Sequence, residues 1–394
     1  MKRWGLTPVI NATGTMTSLG ASRVAPEVRA AVDDVLGRFV RIEELHALAN
    51  RTIRKATGAE AGYVTSSSSA AITLACAAAL AGDDLDAIEA LPFAKCEKRV
   101  AVMMSHMVNY GGSVPQAVAA SGAEVVPLGT AALCETYHLK AAIRDGLAAA
   151  VYVVSHHTVR EGELPMDLFI AICRSHSVPV IVDMASEYDL TRAVALGADA
   201  VIWSGHKFLG GPTSGIVAGR ARMIRAMILQ NRGLGRLMKA GKEAIVGAVA
   251  ALEAWGKRDH AAEAAREAAI VAGWLADLAA LQGVTARRHA DWTGNPIIRV
   301  RLKLDPDAGL YAWELASRAM AGNPAVALRD DLSMHHLIFL DPCNLTVKEA
   351  PIVSTRIREI CEAARAEGDG LKRSWSEEKA ARGTAATPWI SDDA

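Results

Sequence analysis

The sequence predicts an α/β fold in which a mostly parallel central sheet is covered by helices on both faces. Between residues 67 and 203, short apolar runs alternate with alanine-rich stretches of helical character. The apolar runs are nearly continuous, as is typical of strands buried on both faces of a parallel sheet. The chain has 394 residues, of which 51% are hydrophobic, and this is enough for a large core.

We expect five strands and five helices in this part of the chain. The strands are predicted at residues 100–104, 124–128, 150–155, 180–183 and 200–203. The helices are predicted at residues 67–81, 113–121, 138–147, 165–176 and 188–196. Ligands of such sheets bind at the carboxyl ends of the strands, so the residues that follow each strand are the first candidates for a site.

A smaller α+β domain is expected after Gly219, where the pattern changes. It comprises a long helical region (220–280), then further strands and helices, predicted at residues 296–302, 311–321, 336–340 and 348–366. The end of the chain is rich in Ser, Glu, Ala and Asp, a composition typical of a frayed tail. The expected division is therefore an N-terminal arm (1–45), a large domain (46–245), a small C-terminal domain (246–373) and a flexible tail (374–394).

Composition disfavours several classes of function. Lys and Arg together number 43, as do Asp and Glu, and only 5% of residues are aromatic. A polyanion-binding or base-stacking surface, and hence a nucleic-acid partner, is therefore not expected. An uncharged run at residues 61–82 has four consecutive serines in it, which a membrane span would avoid, and the N-terminus lacks an apolar signal segment. We expect a cytoplasmic protein with no membrane partner.

The cysteines indicate neither disulfides nor a metal site. They form no CxxC pair, so we expect reduced core residues. The six are Cys76, Cys96, Cys134, Cys173, Cys343 and Cys361.

The strongest chemical signal is the segment Ser204-Gly-His-Lys207, which follows a buried strand and precedes a glycine-rich loop. Burial disfavours the charged form of a lysine, and a lysine of lowered pKa is the residue type that Schiff-base chemistry needs. The serine, the histidine and the amides of the following glycines can bind a phosphate. The alternative interpretation is an exposed lysine in a loop.

A second signal is Asp183, which closes the apolar run 180–182. Taken alone, it is a helix N-cap or a salt-bridge partner. Beside Lys207 on a neighbouring strand end, it can instead hold the proton of a pyridinium ring, which is the charge partner that a pyridoxal ring needs.

Two weaker signals follow other predicted strands. The serine run at residues 66–69 opens a helix whose free amides and dipole suit a phosphate, although serines also serve as ordinary N-caps. His106 follows the strand at residues 100–104, where it either stacks on a planar ring or is a satisfied surface residue.

In this order, the four signals resemble the fold-type I pyridoxal phosphate enzymes. The motifs are more specific for the selenocysteine synthase (L-seryl-tRNA selenium transferase) family and its relatives, which include D-glucosaminate-6-phosphate ammonia-lyases. The resemblance covers roughly residues 8–365 and implies pyridoxal 5'-phosphate as the cofactor. The segments that carry it are Asn11-Ala-Thr-Gly-Thr15, Thr57-Gly-Ala-Glu60, Ser204-Gly-His-Lys207, Gly210-Gly-Pro212, Asn323-Pro324 with Arg329, and Leu340-Asp-Pro342.

The resemblance implies a role for each candidate residue. Lys207 would form the Schiff base and move the substrate's protons, Asp183 would hold the pyridine nitrogen, and His106 would stack on the ring. Ser186 takes the place of a residue near the ring hydroxyl. The residues expected at the cofactor phosphate are Ser67, Ser68, Ser204, His206 and Gly211, the last through a partner subunit. The residues expected at the substrate are Arg329, Glu44 and Thr15.

The segment Leu340-Asp-Pro-Cys343 departs from the pattern of many relatives, in which an arginine follows the proline. The missing positive charge predicts a substrate with different anionic groups. None of the cysteines lies in a segment that matches the catalytic loop of cysteine desulfurases, and Cys343 is expected to be a packing residue.

These observations predict a lyase that removes the Cα proton of a small amino acid or amino sugar acid and completes an α,β-elimination, as ammonia-lyases and dehydratases do. The alternative is an amino acid racemase or epimerase, in which His106, Tyr188 or Cys343 would be the second acid. A selenium transferase acting on seryl-tRNA is less expected, because the chain lacks a basic excess, and so is an aminotransferase. We expect a homodimer or a higher multiple with shared sites.

Overall fold

The computed structural model describes residues 2–109, 112–367 and 373–384. The strands are β1 (Val9–Ala12), β2 (Ala61–Thr65), β3 (Arg99–Met103), β4 (Glu124–Leu128), β5 (Ala149–Val153), β6 (Val180–Asp183), β7 (Ala200–Ser204), β8 (Gly215–Gly219), β9 (Val284–Ala290), β10 (Ile298–Leu304), β11 (Ala325–Leu328) and β12 (Leu337–Leu340). The helices are α1 (Pro26–Leu36), α2 (Ile42–Thr57), α3 (Ser68–Ala81), α4 (Leu85–Ala90), α5 (Val114–Ala119), α6 (Thr136–Arg144), α7 (Met166–Ser175), α8 (Arg192–Leu196), α9 (Ala221–Leu229), α10 (Lys242–Lys257), α11 (His260–Leu278), α12 (Ala312–Ala321), α13 (Ala350–Ala366) and α14 (Trp375–Thr384).

The chain forms two compact units. The sheet unit is Gly20–Arg258, and the terminal unit combines Met1–Leu19 with Asp259–Ala394. No helix among the described residues has both the length and the apolar character needed to cross a bilayer.

The sheet unit is built around a seven-stranded sheet of order β2-β8-β7-β6-β5-β3-β4. Strands β4, β3, β5, β6 and β7 pair in parallel, whereas β8 runs antiparallel to both of its neighbours. Successive residues of β3 point into two separate buried clusters, one on each face of the sheet. The carboxyl ends of the parallel strands therefore meet at one edge, and the flanking helices cover both faces.

The five predicted strands are confirmed to within two residues, but β2 and β8 were missed. Both contain glycine, which usually indicates a turn or weakens a strand. Here the glycines permit close packing: a Cβ at Gly62 would collide with Ile53 of α2, and one at Gly215 would collide with the carbonyl of Ser67. Helix α8 begins at Arg192 rather than at 188, because Asp189 accepts the amides that open it.

The terminal unit contains two small sheets. Strands β1 and β11 form a parallel pair, and β12-β10-β9 form an antiparallel sheet. A cluster that includes the buried Trp274 packs against them. A buried ion-pair network also crosses this unit, because the guanidinium of Arg299 contacts the carboxylates of Asp291 and Asp341.

The boundaries of the two units differ from the expected ones. Helix α10 packs against α1 and α2, so the sheet unit extends to Arg258 rather than to 245. The expected arm (1–45) is divided between the units, because β1 pairs with β11 whereas α1 packs on α10.

Part of the expected flexible tail is the helix α14. The indole of Trp313 donates to the carbonyl of Arg373 at 2.9 Å, and Ser317 donates to Glu378 at 2.7 Å. These contacts hold α14 against α12, which explains why this part of the expected tail forms a helix. Residues 385–394 lie outside the described part of the chain.

Burial alone would raise the pKa of Asp341, but the adjacent Arg299 holds it below its usual value. We expect Arg299→Gln to lower the free energy of unfolding by about 3–5 kcal/mol, because it leaves Asp291 and Asp341 buried without their cation. Urea unfolding followed by circular dichroism measures this loss. The matched control is Arg301→Gln, which removes a half-buried guanidinium of the same strand that has no ion pair among the described residues. Equal losses of the free energy of unfolding in the two variants would show that Arg299 does not compensate the buried carboxylates.

Candidate active site

Two adjacent strand ends bring Asp183 and Lys207 into the same region of the sheet unit. Asp183 is the last residue of β6, and Lys207 lies in the turn that follows β7, its parallel neighbour. The Lys207 Nζ donates a hydrogen bond to the Ser186 Oγ at 2.6 Å. The predicted pairing of these strand ends is therefore present, with Ser186 beside the amine.

The Asp183 carboxyl group is buried and ready to accept a cation. Burial raises its pKa to about 6, although the nearby Lys207 and the amide of Ala185, which donates to Oδ1 at 3.1 Å, both act to lower it. A carboxyl group with a pKa in this range gains much from a positive ligand group, because that group would offset the cost of burying its charge.

A polar turn at the start of α3 provides a site for a small anion. Ser67 is the N-cap of this 14-residue helix, and Ser68 is its first residue. The Ser204 Oγ, at the end of β7, donates to the Ser68 Oγ at 2.9 Å. Thr65 donates to the carbonyl of Ser67 at 2.9 Å and fixes the turn. Hydroxyl groups from two elements thus surround free amides at the positive end of a helix, which is a common arrangement for phosphate.

His206 contributes a second polar group beside Lys207. Its side chain is buried, and its Nδ1 has no hydrogen-bond partner among the described residues. Burial and the neighbouring Lys207 both lower its pKa, which favours the neutral imidazole. A buried ring nitrogen without a partner is costly, so its presence favours a ligand group that hydrogen-bonds to it.

His106 does not have the predicted stacking role. Its ring is completely buried, the amide of Val153 donates to Nδ1 at 3.1 Å, and Nε2 lies 3.0 Å from the Glu163 carboxylate. A side chain with no accessible surface has no face for a ligand ring. His106 instead connects the end of β5, through the amide of Val153, to the loop that contains Glu163.

Gly211 and Glu44 have other surroundings than the sequence predicts. The Gly211 amide donates to the carbonyl of Gly205 at 2.8 Å in its own chain, so it is not available to a phosphate. Glu44 lies in the first turn of α2 with 73% of its side chain exposed and pairs with the exposed Arg41, and its role at the substrate stays a prediction.

The terminal unit holds Arg329 and Thr15. The Arg329 side chain is buried, its Nε donates to Asp331 at 3.0 Å, and its guanidinium lies 5.4 Å from the ring centroid of Trp292. Thr15 follows Gly14, whose carbonyl accepts a side-chain amide from Asn344. Thr13, rather than Thr15, lines a cavity of about 490 Å³ together with Arg329.

Sequence reasoning missed the residues that follow β5. Ser155, His156 and His157 lie in the loop and turn after this strand, which lies between β3 and β6 in the sheet. The two imidazole rings are half-buried, with centroids 3.6 Å apart. The signal that identifies Asp183, a polar residue directly after an apolar strand, is present here as well and would have identified them.

Comparison with known proteins gives consistent matches. A family model described as L-seryl-tRNA selenium transferase matches residues 9–280. A D-glucosaminate-6-phosphate ammonia lyase of Salmonella typhimurium is 37% identical over 91% of this chain and 97% of the relative. A 5'-C-glycyluridine monooxygenase-decarboxylase of a Streptomyces species is 34% identical over 90% of each chain. A solved structure of D-glucosaminate-6-phosphate ammonia-lyase superposes with a TM-score of 0.82 at 36% identity, over 92% of this chain and 98% of that one. The predicted fold class is thereby confirmed.

The raised pKa of Asp183 predicts a pH-dependent stability of the ligand-free protein. Between about pH 4 and pH 6 the folded protein holds a proton that the unfolded chain has released, so this group lowers stability as the pH rises through that window. Asp183→Asn removes the effect. We therefore expect the free energy of unfolding of the variant, relative to that of the wild type, to increase by about 3 kcal/mol as the pH rises across this window.

Urea unfolding at several pH values in this range measures the difference. Asp33→Asn, which changes an exposed carboxylate of the same unit, is the matched control. A difference that does not change with pH would show that burial does not raise the pKa of Asp183.

Proposed function

The chain belongs to the L-seryl-tRNA selenium transferase family, and from this premise we propose that it is a pyridoxal phosphate-dependent lyase of the ammonia-lyase type. The proposed reaction removes the Cα proton of a small amino acid or amino sugar acid and eliminates a group from Cβ. The single observation that carries this proposal is the placement of Lys207 and Asp183 at the ends of two adjacent parallel strands.

The residues at these strand ends fit the cofactor. Lys207 offers an amine for the aldehyde, and the buried carboxyl group of Asp183 matches the protonated ring nitrogen, whose positive charge would stabilise the carboxylate. The start of α3 with Ser68 and Ser204 offers donors for the phosphate, and His206 offers its unpartnered Nδ1. When bound, pyridoxal phosphate supplies an electron sink that stabilises negative charge on Cα.

Each of these side chains has a task that follows from its surroundings. Lys207 is the amine of the site and is proposed to take the proton from Cα and to return a proton to the leaving group. Ser186 accepts a hydrogen bond from the Lys207 Nζ and positions it. The amide of Ala185 fixes the orientation of the Asp183 carboxylate, and burial of this carboxylate excludes water that would weaken its interaction with a cation.

The elimination reaction is favoured over racemisation by the surroundings of the proposed second acids. His106 is completely buried and hydrogen-bonded, and the ring of Tyr188 packs edge-on against Phe208 and Trp255. Burial raises the pKa of the Cys343 thiol well above its usual value, which makes this thiol a poor proton donor. The relative with 37% identity is named as a lyase and matches over nearly its whole length. We propose that the protein binds a small-molecule substrate and has no nucleic-acid partner.

We expect Lys207→Ala to lose essentially all turnover, because the variant lacks the amine that holds the cofactor and moves protons. Release of ammonia and keto acid from a panel of amino acids and amino sugar acids measures turnover. Borohydride treatment should add the mass of reduced cofactor to the wild type and not to the variant. The matched control is the exposed Lys239→Ala, which should behave as the wild type. Full activity of Lys207→Ala would exclude this reaction.

We further propose that the protein is a homodimer or a higher multiple. Leu36, Phe39, Val40 and Ile42 expose their apolar side chains in the loop between α1 and α2 and at the helix ends that flank it, and Phe39 is fully exposed. The loop is held in this position, because the Lys242 Nζ donates to the carbonyls of Leu36 and Arg38. A rigid, exposed apolar loop is typical of a contact between subunits.

Phe39→Asp should shift the protein to the monomer in sedimentation at low micromolar concentration, because it places a charge in the subunit contact. Phe93→Asp changes a phenylalanine that is 86% exposed outside this loop and should leave the assembly intact. A wild-type protein that sediments as an active monomer would refute the proposed assembly.

A further inference from the structure

The backbone around Lys207 is held by two side chains from distant parts of the sheet unit. The Ser22 Oγ donates a hydrogen bond to the carbonyl of His206 at 2.6 Å. The Arg258 Nη1 donates to the carbonyl of Phe208 at 3.2 Å. The carbonyl groups immediately before and immediately after the lysine are therefore both bound from outside the turn that carries it.

Arg258 has a fixed place of its own. It follows the last residue of α10, and its guanidinium lies over the ring of Trp255 at 4.7 Å from the ring centroid. The Tyr188 ring packs edge-on against the rings of Trp255 and Phe208, with centroids 4.9 and 4.6 Å apart. An aromatic cluster thus orients the guanidinium, and a cation over an aromatic face is a favourable contact.

Ser22 also lies in a defined backbone conformation. Ala21, which precedes it, is buried and has a positive φ of 63°, which is costly for a residue other than glycine. The Ser22 amide donates to the carbonyl of Gly20 at 2.9 Å. A strained backbone persists only where the surrounding contacts enforce it, and the hydrogen bond to His206 is one of these contacts.

The glycine-rich segment after Lys207 packs against α10. A Cβ at Gly247 of this helix would collide with the ring of Pro212, and a Cβ at Gly211 would lie 2.9 Å from that of Ala251. Small residues therefore let the segment and the helix approach closely. The helix that supports this segment also ends next to Arg258.

We propose that Ser22 and Arg258 are positioning residues for Lys207. The inference rests on the proposed function, in which the Lys207 amine moves protons at the substrate. A lysine amine stands on a flexible four-carbon stem, so it keeps its place beside Ser186 only if the backbone that carries the stem is fixed. Ser22 and Arg258 act through the two peptide groups that flank the lysine.

Arg258→Met should lower kcat at least about tenfold and leave KM nearly unchanged, because a misplaced amine slows proton transfer without weakening substrate binding. Methionine keeps the apolar stem of the arginine and removes its donors. Arg258→Lys retains a donor and should recover most of the rate. Ser22→Ala should lower kcat about threefold or more. The substrate is the amino acid or amino sugar acid from which the wild type releases ammonia fastest.

Two control variants remove the same kinds of contact elsewhere in the sheet unit. The Arg99 Nη1 donates to the carbonyl of Asp145 at 2.7 Å at the amino end of β3, and the Ser121 Oγ donates to the carbonyl of Val118 at 2.6 Å. Arg99→Met and Ser121→Ala should therefore keep the kcat of the wild type.

Hydrogen exchange of the full chain tests the positioning without turnover. The amides of Gly205, Gly210 and Gly211 bond to carbonyls within the segment 204–214. Peptides that cover this segment should exchange at least about tenfold faster in Arg258→Met than in the wild type, since a loosened turn opens these bonds more often. The two control variants should leave this exchange unchanged.

The outcomes separate this inference from the lyase itself. Wild-type kcat and wild-type exchange in both Ser22→Ala and Arg258→Met would overturn the inference and leave the lyase intact, and so would equal losses in the controls. If Arg258→Met unfolds at a lower urea concentration than the wild type, Ser22→Ala decides. If no compound releases ammonia, the lyase is refuted. The rate at which borohydride fixes pyridoxal phosphate to Lys207 then replaces kcat, and a wild-type rate in both variants would overturn the positioning.

Discussion

The burial of the Asp183 carboxyl group beside an amine is the constraint on which the rest of the site depends. Parallel pairing of β6 and β7 brings Asp183 and Lys207 to one edge of the sheet, and the surrounding elements keep Asp183 from water. Such a group is costly unless a cation compensates it. The same edge receives the start of α3 through the Ser204–Ser68 hydrogen bond. The topology thus creates a niche that a cationic ring with an anionic arm can satisfy.

Local signals in the sequence were sufficient for the centre of this site. Two apolar runs, one followed by Asp183 and the other by Ser204 and Lys207, predict both the strands and the candidate residues at their carboxyl ends. The predictions that failed concern residues whose contact partners are distant in sequence. His106 is buried because Glu163 binds its ring, and only the folded chain shows this contact. The strand β8 was missed because the need for its glycines arises from contacts with distant residues, namely the close approach of Ser67 to Gly215 and of Asp199 to Gly219.

In the terminal unit, a buried ion pair shapes a turn that lines a cavity. Asp341 pairs with Arg299 and also lies against Gly14, which has a positive φ of 87° and where a Cβ would contact the carboxylate. The turn from Asn11 to Thr15 therefore has its shape because Asp341 is fixed. Thr13 belongs to this turn and lines the cavity, so the network of Arg299 supports a wall of the cavity as well as the fold.

The arrangement of Lys207 and Asp183 fits the cofactor but does not by itself fix the reaction. The relatives are named as a lyase, a monooxygenase-decarboxylase and selenium transferases, and one scaffold with one cofactor supports many reactions. In this chain Lys207 and Asp183 are the groups that fit the cofactor. The choice of substrate must then depend on side chains other than this pair. Because burial raises the pKa of the Cys343 thiol well above its usual value, this residue stays protonated and uncharged near neutral pH.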